Sequence, residues 1–535
     1  MNRLPIIVLS ILSGLLMMLA WPPLPTAILL FVGLVPLIFI RERLEGRKKQ
    51  HLKFWAYTYL AMFIFNTGTT WWVWNASASG SIMMLFLNSL IMSLPFLMYS
   101  HTKQVLPKLA YPALVLYVIA TEYWHFNWSA AWPWLTLGKG LSSMPWYIQW
   151  YEFTGELGGT ALIVSINVLL AKALIERHRK GLVLPTALFV GFGIISLGLQ
   201  FMDQQKFSSA KRDKINCVVS QPNIDPYEEK FGDGINYLYP EIQLDYALEP
   251  AEPLLDDNTD LLLFPETAVT GYNDESDLNN NFLFEPLRKL SDSAKLCIIT
   301  GAESFAVHKE KERPTLTARY DSAINKWFDF YNTAVNVKKG KVAELYHKSK
   351  LVPGVEKMPF AFLEQLSINL GGTSGSLGTS DRAINFTLNN GYKVAPLICY
   401  ESVFGDYACE YVRDGANLLA VVTNDGWWGN TPGYQQHLMF GSVRCIETRR
   451  DMVRSANTGV SAYIDRYGKI HHPTKYKERT AFKCIANPYS DTTFYVRFGN
   501  LLGKFSLISI ALVILVIYKR FTQKTEHGNE VETIQ

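Results

Sequence analysis

Long apolar runs broken by short polar turns fill the first part of the chain, and the pattern changes near residue 202. Runs at about 5–20, 25–40, 54–74, 81–100, 109–126, 159–175 and 182–201 each approach the roughly 20 apolar residues that a membrane-spanning helix needs. From 202 to 499 shorter apolar runs alternate with polar stretches, as in a water-soluble domain. One more apolar run, at about 500–518, precedes a polar tail at 519–535. The pattern predicts a transmembrane bundle of about seven helices over 1–201, a folded domain over 202–499, a final span at 500–518 and a terminal tail: about eight spans. The first run also admits a cleaved signal peptide. No A-x-A-like site follows it and the next apolar run begins at once, which favours a span.

The basic residues orient these spans. Arg41, Arg43, Arg47, Lys48, Lys49 and Lys53 follow the second run, Lys103 and Lys108 the fourth, Arg177, Arg179 and Lys180 the sixth, and Lys519, Arg520 and Lys524 the last. The alternate turns near 21–24 and 75–80 carry no Lys or Arg, and the longer one at 127–158 carries only Lys139. Basic loops stay on the cytoplasmic side. The alternation therefore predicts that both termini are cytoplasmic and that the domain at 202–499 lies outside. The segment 127–158 is rich in aromatics (Trp128, Trp132, Trp134, Trp146, Tyr147, Trp150, Tyr151), as expected of anchors at a bilayer interface.

Within the exported domain, 215–224, 260–267, 295–304, 331–339, 393–402 and 417–425 read as buried strands. A helix is expected at 435–449 and a strand pair near 452–465. Continuous apolar strands alternating with helices argue for an α/β layered domain with its sheets covered on both faces. The Gly/Ser-rich stretch at about 370–390 reads as an exposed loop. The net charge of +4 is too small to suggest nucleic acid, and no basic patch interleaved with aromatics occurs. All six cysteines fall in this domain, where disulfides are permitted. Cys217, Cys297 and Cys484 nevertheless sit in apolar strand-like runs that favour buried free thiols. No C-x-x-C pair suggests a metal, and nothing suggests a cofactor.

Three polar residues end three of the strand-like runs. Glu266 follows LLLFP, Lys348 lies in LYHKSKLVP and Cys399 follows VAPLI. Strand ends gather such groups at one edge of a sheet. A carboxylate is able to deprotonate a thiol, and an ammonium with backbone N–H groups is able to hold an oxyanion, so the set suits acyl transfer through a thioester. Singly, each has a plainer reading: Cys399 as a buried thiol, Glu266 as a turn or helix cap, Lys348 as a solvated charge.

FPET (264–267), YHKSKLVP (346–353) and LICYE (397–401) resemble, in order, the Glu, Lys and Cys motifs of the nitrilase or carbon–nitrogen hydrolase superfamily. TNDGWWG (423–429), SQPNI (220–224), VPGVE (352–356), QQH (435–437), SANTGVSA (455–462) and AWPWLTLG (131–138) resemble its membrane branch, the apolipoprotein N-acyltransferases. The resemblance implies an αββα sandwich. It makes Glu266 the general base, Lys348 the oxyanion partner and Cys399 the acylated nucleophile. Glu356, Tyr400 and Glu401 take supporting positions. Lys350 stands where the family has a His and is the rival to Lys348. Trp134, Trp427 and Trp428 are candidates for lining substrate access. The implied reaction moves an acyl chain from a phospholipid, phosphatidylethanolamine by resemblance, to the N-terminal amine of diacylglyceryl-cysteine in apolipoproteins. The implied setting is a bacterial inner membrane with the catalytic domain on the periplasmic side. Two other readings stay open: a membrane-tethered amidase that passes its acyl group to water, and a catalytically dead lipid-binding scaffold.

Overall fold

A computed structural model describes residues 4–208, 213–231, 234–310, 312–357 and 377–532. The chain divides into two compact units: Met1–Trp71, Ser81–Ser196 and Asn500–Gln535 in one, Trp72–Gly80 and Leu197–Gly499 in the other.

The first unit is helical. Each apolar run of the sequence is helical: Ile6–Leu19, Val35–Arg43, Gln50–Thr70, Ala78–Val105, Ala110–His125, Glu156–Ile175, Val183–Ser208 and Leu501–Glu532. Among the described residues, four helices are long and apolar enough to cross a membrane: Ala78–Val105, Glu156–Ile175, Arg179–Phe207 and Leu501–Lys519. Large apolar side chains are exposed on the last two, including Val183, Ile194, Ile195, Phe505, Ile508 and Leu512. Such a surface suits lipid rather than water. The second apolar run is broken into Ala27–Leu29, Leu30–Gly33 and Val35–Arg43. At the break the Asn167 side-chain oxygen accepts the N–H groups of Leu34 and Val35, at 2.8 and 3.2 Å.

The segment 131–143 has no long helix, and its polar groups are tied inward. Glu122 accepts from the Leu137 N–H (2.8 Å) and from Thr160 Oγ1 (2.6 Å). Lys139 donates to the Pro133 carbonyl (2.6 Å) and pairs with Glu156 at 3.2 Å, both side chains being buried. Irregular backbone survives in an apolar setting only when its polar groups are satisfied in this way. Trp134 is fully buried here, its ring stacked 5.4 Å from Trp132. The aromatics expected as interface anchors are mostly interior: Tyr147 stacks on Phe189 (5.2 Å), Trp150 meets Phe192 (4.7 Å), and Tyr151 is buried. Tyr147 and Trp150 pack against the helix Val183–Ser208, Tyr151 donates to the Gly138 carbonyl (2.9 Å), and Trp146 remains exposed.

The second unit is a four-layer sandwich. Its strands are β1 (Ile215–Gln221), β2 (Leu261–Leu263), β3 (Val269–Asp274), β4 (Cys297–Val307), β5 (Arg319–Asp321), β6 (Lys326–Lys338) and β7 (Lys341–His347). There follow β8 (Phe386–Thr387), β9 (Lys393–Ile398), β10 (Leu418–Thr423), β11 (Met452–Ala456), β12 (Ala462–Ile464), β13 (Ile470–His471) and β14 (Thr480–Ala486). One sheet runs β14-β1-β2-β4-β6-β5, with β3 on β4 and β7 on β6; the other runs β13-β12-β11-β10-β9-β8. The central pairs β1–β2, β2–β4, β9–β10 and β10–β11 are parallel. Parallel strands need both faces covered, which explains their nearly unbroken apolar sequences. Helices Pro240–Leu248 and Glu285–Ser293 cover the first sheet through Leu244, Ala247 and Leu287, packed with Val218, Leu262 and Ile298. Against the second sheet, Gly441 of the helix Pro432–Thr448 leaves room for Ile464 and Met452. The sheets meet face to face, where Ser455 Oγ donates to the Ser220 carbonyl at 2.6 Å.

All six cysteines are free and buried. Residues 370–376 of the expected Gly/Ser-rich loop lie outside the described residues. From 377 onward the chain is partly buried: the Gly378 N–H bonds the Phe330 carbonyl (2.8 Å), and the stretch runs into β8.

Candidate active site

Three strand ends of the sandwich bring the chemistry together. Glu266 follows β2 through Phe264-Pro265 and precedes Thr267, whose φ of +50° turns the chain sharply. The turn presses on β4 so closely that a Cβ on Gly301 would lie 2.6 Å from the Glu266 Cα and 2.4 Å from the Thr267 nitrogen. Glycine is therefore required at 301 for the backbones to approach. Lys348 follows β7, and Glu356 lies in the next turn. Cys399 follows β9 and opens the 3-10 turn Cys399–Val403.

Lys348 is buried between two carboxylates. Its ammonium donates to Glu266 Oε1 at 3.1 Å and to Glu356 Oε1 at 2.7 Å. Burial alone disfavours the ammonium, but the charges of Glu266 and Glu356 outweigh it and hold the lysine well above its ordinary pKa. Asn332 of β6 joins the same oxygens, donating to Glu266 at 2.8 Å and to Glu356 at 3.3 Å. The second oxygen of Glu266 accepts the Asn424 N–H (3.0 Å), and that of Glu356 accepts the Val352 N–H (2.8 Å). Both carboxylates are thus fixed by two elements or more. Lys350 points elsewhere, with its ammonium 5.2 Å from the Tyr407 ring centre and 5.8 Å from that of Phe404. The rival lysine is not in the cluster.

Cys399 has a φ of +49°, in the left-handed region that a non-glycine residue adopts only at a strain of about 1–3 kcal/mol. Its thiol is pushed above the ordinary cysteine range, first by burial and then by the Glu266 charge, with Lys348 opposing. The resting group is a thiol, and a base is needed to activate it.

Glu401 stitches the cysteine turn to the lysine loop. One oxygen accepts the Ile398 N–H at 2.8 Å. The other accepts the Ser349 N–H (2.6 Å), the Lys350 N–H (3.3 Å) and the Tyr346 hydroxyl. Burial raises its pKa to about 7 despite these donors. Tyr400 is buried with its ring edge-on to Phe404, 5.2 Å away. Trp427 is half-buried, stacked on Phe231 (5.5 Å) and meeting Tyr227 edge-on (5.1 Å). Trp428 packs on Trp72 at 4.7 Å, and its carbonyl accepts the Asn75 side-chain amide at 2.8 Å.

The structure therefore gathers Glu266, Lys348, Glu356, Cys399 and Glu401 in one site. Trp134 belongs to the helical unit. Sequence reasoning missed Asn332, Asn424 and Gly301. Asn332 sits in the strand word YNTAVNVKK, where a buried polar residue among apolar ones was the available signal.

The comparisons with known proteins cover both units. The family model for the apolipoprotein N-acyltransferase N-terminal domain matches residues 13–169, and that for carbon-nitrogen hydrolase matches residues 240–482. An apolipoprotein N-acyltransferase of Chlorobaculum tepidum is 28% identical over 512 residues, spanning 92% of this chain and 93% of the relative. One of Thermotoga maritima is 26% identical over 536 residues, spanning 95% and 93%. The chain belongs to the apolipoprotein N-acyltransferase family. Glu266, Lys348, Glu356 and Cys399 all fall within the carbon-nitrogen hydrolase match. The crystal structure of Saccharomyces cerevisiae Nit3, a nitrilase-superfamily member, aligns over 52% of this chain and 93% of its own at 15% identity and a TM-score of 0.37.

Proposed function

We infer that this membrane enzyme moves an acyl chain from a phospholipid, through a thioester on Cys399, to the N-terminal amine of diacylglyceryl-cysteine in apolipoproteins. The observation that carries the reading is the buried Glu266–Lys348–Glu356 cluster (3.1 and 2.7 Å) beside a strained, buried Cys399, in a family of N-acyltransferases.

Glu266 takes the thiol proton as Sγ attacks the donor's ester carbonyl. The oxyanion that forms is held by the Lys348 ammonium and by N–H groups of the turn after Cys399. On collapse the ester C–O bond breaks, and the lysophospholipid alkoxide leaves with the proton from Glu266. The acceptor amine then attacks the thioester and gives a proton to Glu266. The C–S bond breaks, leaving an amide, and the thiolate recovers the proton. Glu356 and Asn332 keep Lys348 and Glu266 in register, and Glu401 and Tyr400 support the turn.

The donor is a phospholipid, phosphatidylethanolamine by resemblance. The setting is a bacterial inner membrane, with both termini cytoplasmic and the domain at 202–499 on the periplasmic side. About eight spans, seven in 1–201 and one at 500–518, agree with the alternation of basic loops. Trp427 and Trp428 are assigned to substrate access; the half-exposed Trp427–Phe231–Tyr227 cluster supports this for Trp427. Transfer rather than hydrolysis is expected because a helical unit of this size suits acceptors that stay in the bilayer.

Mass spectrometry of a lipoprotein N-terminus tests the reading. Co-production with this protein should convert the diacyl form to a triacyl form heavier by one fatty acyl group. An unchanged diacyl form in both cases contradicts it.

A further inference from the structure

Behind the nucleophile lies a second buried polar network that the chemistry above leaves unused. Cys399 is strained, so its peptide needs an external hold. The Cys399 carbonyl accepts Ser402 Oγ at 2.8 Å and faces His437 Nε2 at 3.2 Å. Ser402 Oγ also lies 2.8 Å from His437 Nε2. Nε2 thus faces the Cys399 carbonyl and the Ser402 hydroxyl together on this side of the ring. The far nitrogen, Nδ1, lies 2.9 Å from Asp425 Oδ1 and 3.1 Å from Arg454 Nη2. Asp425 is gripped in turn by Thr423 Oγ1 (2.9 Å) and by Arg454 (2.5 Å). Ser402, Asp425, His437 and Arg454 are all buried. The ring of Trp428 meets His437 edge-on at 5.7 Å.

We propose that His437 is a positioning residue that, with Ser402, fixes the plane of the Cys399–Tyr400 peptide and so sets the oxyanion-holding geometry. A trans peptide is planar, with its C=O and N–H on opposite sides. Anchoring the carbonyl toward His437 therefore aims the Tyr400 N–H the other way. Without the anchor the left-handed residue relaxes and carries both the sulfur and the N–H off line. His437 touches no reacting atom; it acts through Cys399, and Asp425 with Arg454 keeps its ring from turning. The same ring contact ties the anchor to the tryptophan loop, since Trp428 is itself held by Trp72 and Asn75.

The assignment rests on Cys399 being the acylated nucleophile, so the test begins there. Purified full-length protein in detergent is mixed with a phosphatidylethanolamine bearing a fluorescent acyl chain, and acylation of Cys399 is followed by time and donor concentration. Wild-type protein that forms no adduct at Cys399 overturns the catalytic reading itself. With the adduct present, His437→Ala should lower the maximal acylation rate about 100-fold while the half-saturating donor concentration stays within about twofold. His437→Gln, whose side-chain N–H is able to reach the same carbonyl, should recover about tenfold of that loss. Ser402→Ala, a smaller change that keeps the fold if His437→Ala does not, should lower the maximal rate about tenfold. A wild-type adduct with undiminished maximal rates in both Ser402→Ala and His437→Gln, together with a Gln variant no better than Ala, overturns the role of His437 alone.

Discussion

At the scale of single residues, the site sets two protonation states by environment. Lys348 is charged because two carboxylates overcome its burial. Cys399 is neutral because burial and the Glu266 charge overcome Lys348. That order predicts how the thiol reacts. Alkylation of Cys399 by iodoacetamide should be slow at pH 7 and climb steadily to pH 9 and above, with no plateau in the neutral range. A pH-independent fast rate near neutrality would mean a preformed thiolate and would remove the need for a base. Removing the base should slow thioester formation, by about 100- to 10,000-fold for Glu266→Gln in single-turnover assays with phospholipid. Lys348→Met, which keeps bulk but not charge, should lose activity on a similar scale, whereas Lys350→Met should stay within about threefold of wild type. Glu266, Lys348 and Cys399 were each legible in the sequence because short strand-end words carried them. Asn332 and Asn424 were not, because they meet Glu266 through a neighbouring strand and a backbone N–H, which no spacing along the chain encodes.

At the scale of elements, the geometry depends on turns pressed against strands. Gly301 illustrates this. Alanine there places a methyl 2.4 Å from the Thr267 nitrogen, so the FPET turn must move. Gly301→Ala should therefore lower activity at least about tenfold and lower the thermal midpoint, with a loss of about 1–3 kcal/mol from overpacking. Wild-type activity in that variant would show the turn to be free to shift. Glu401 gives a pH signature. Its folded pKa of about 7 lies above the ordinary 4.5, so the folded chain binds the proton more tightly than the unfolded chain. Its contribution to stability is then full below about pH 4.5 and is lost as the pH rises through about 7. The difference in thermal midpoint between wild type and Glu401→Gln should shift against wild type from pH 5 to pH 8; a shift in wild type's favour contradicts the burial account. The parallel strands β1, β2, β4, β9 and β10 were readable as unbroken apolar runs. Strands β3 and β14 were not, because polar Thr270, Asn273, Asp274 and Lys483 dilute the apolar signal and only pairing with β4 and β1 makes them strands.

At the scale of the whole molecule, a soluble chemistry is carried by a chain that also holds long apolar helices. Val183, Ile194, Ile195, Phe505, Ile508 and Leu512 are exposed among the described residues, and a bilayer is the solvent that suits them. The helical unit is more than an anchor in composition. Buried Lys139 and Glu156, with half-buried Glu122, hold the irregular segment 131–143, and buried Asn167 holds the break after Gly33, which a simple tether does not need. Hydropathy located the helices but did not separate the aromatics buried within the helical unit (Trp134, Tyr147, Trp150, Tyr151) from exposed Trp146, because burial inside a bundle and burial in a lipid interface leave the same composition. The central claim joins this membrane setting to one sulfur atom. Full-length protein incubated with phosphatidylethanolamine and examined by intact and peptide mass spectrometry should carry one fatty acyl group on Cys399, which neutral hydroxylamine releases and Cys399→Ser lacks. No acyl adduct at Cys399, with phospholipid-dependent activity undiminished in Cys399→Ser, would contradict the account.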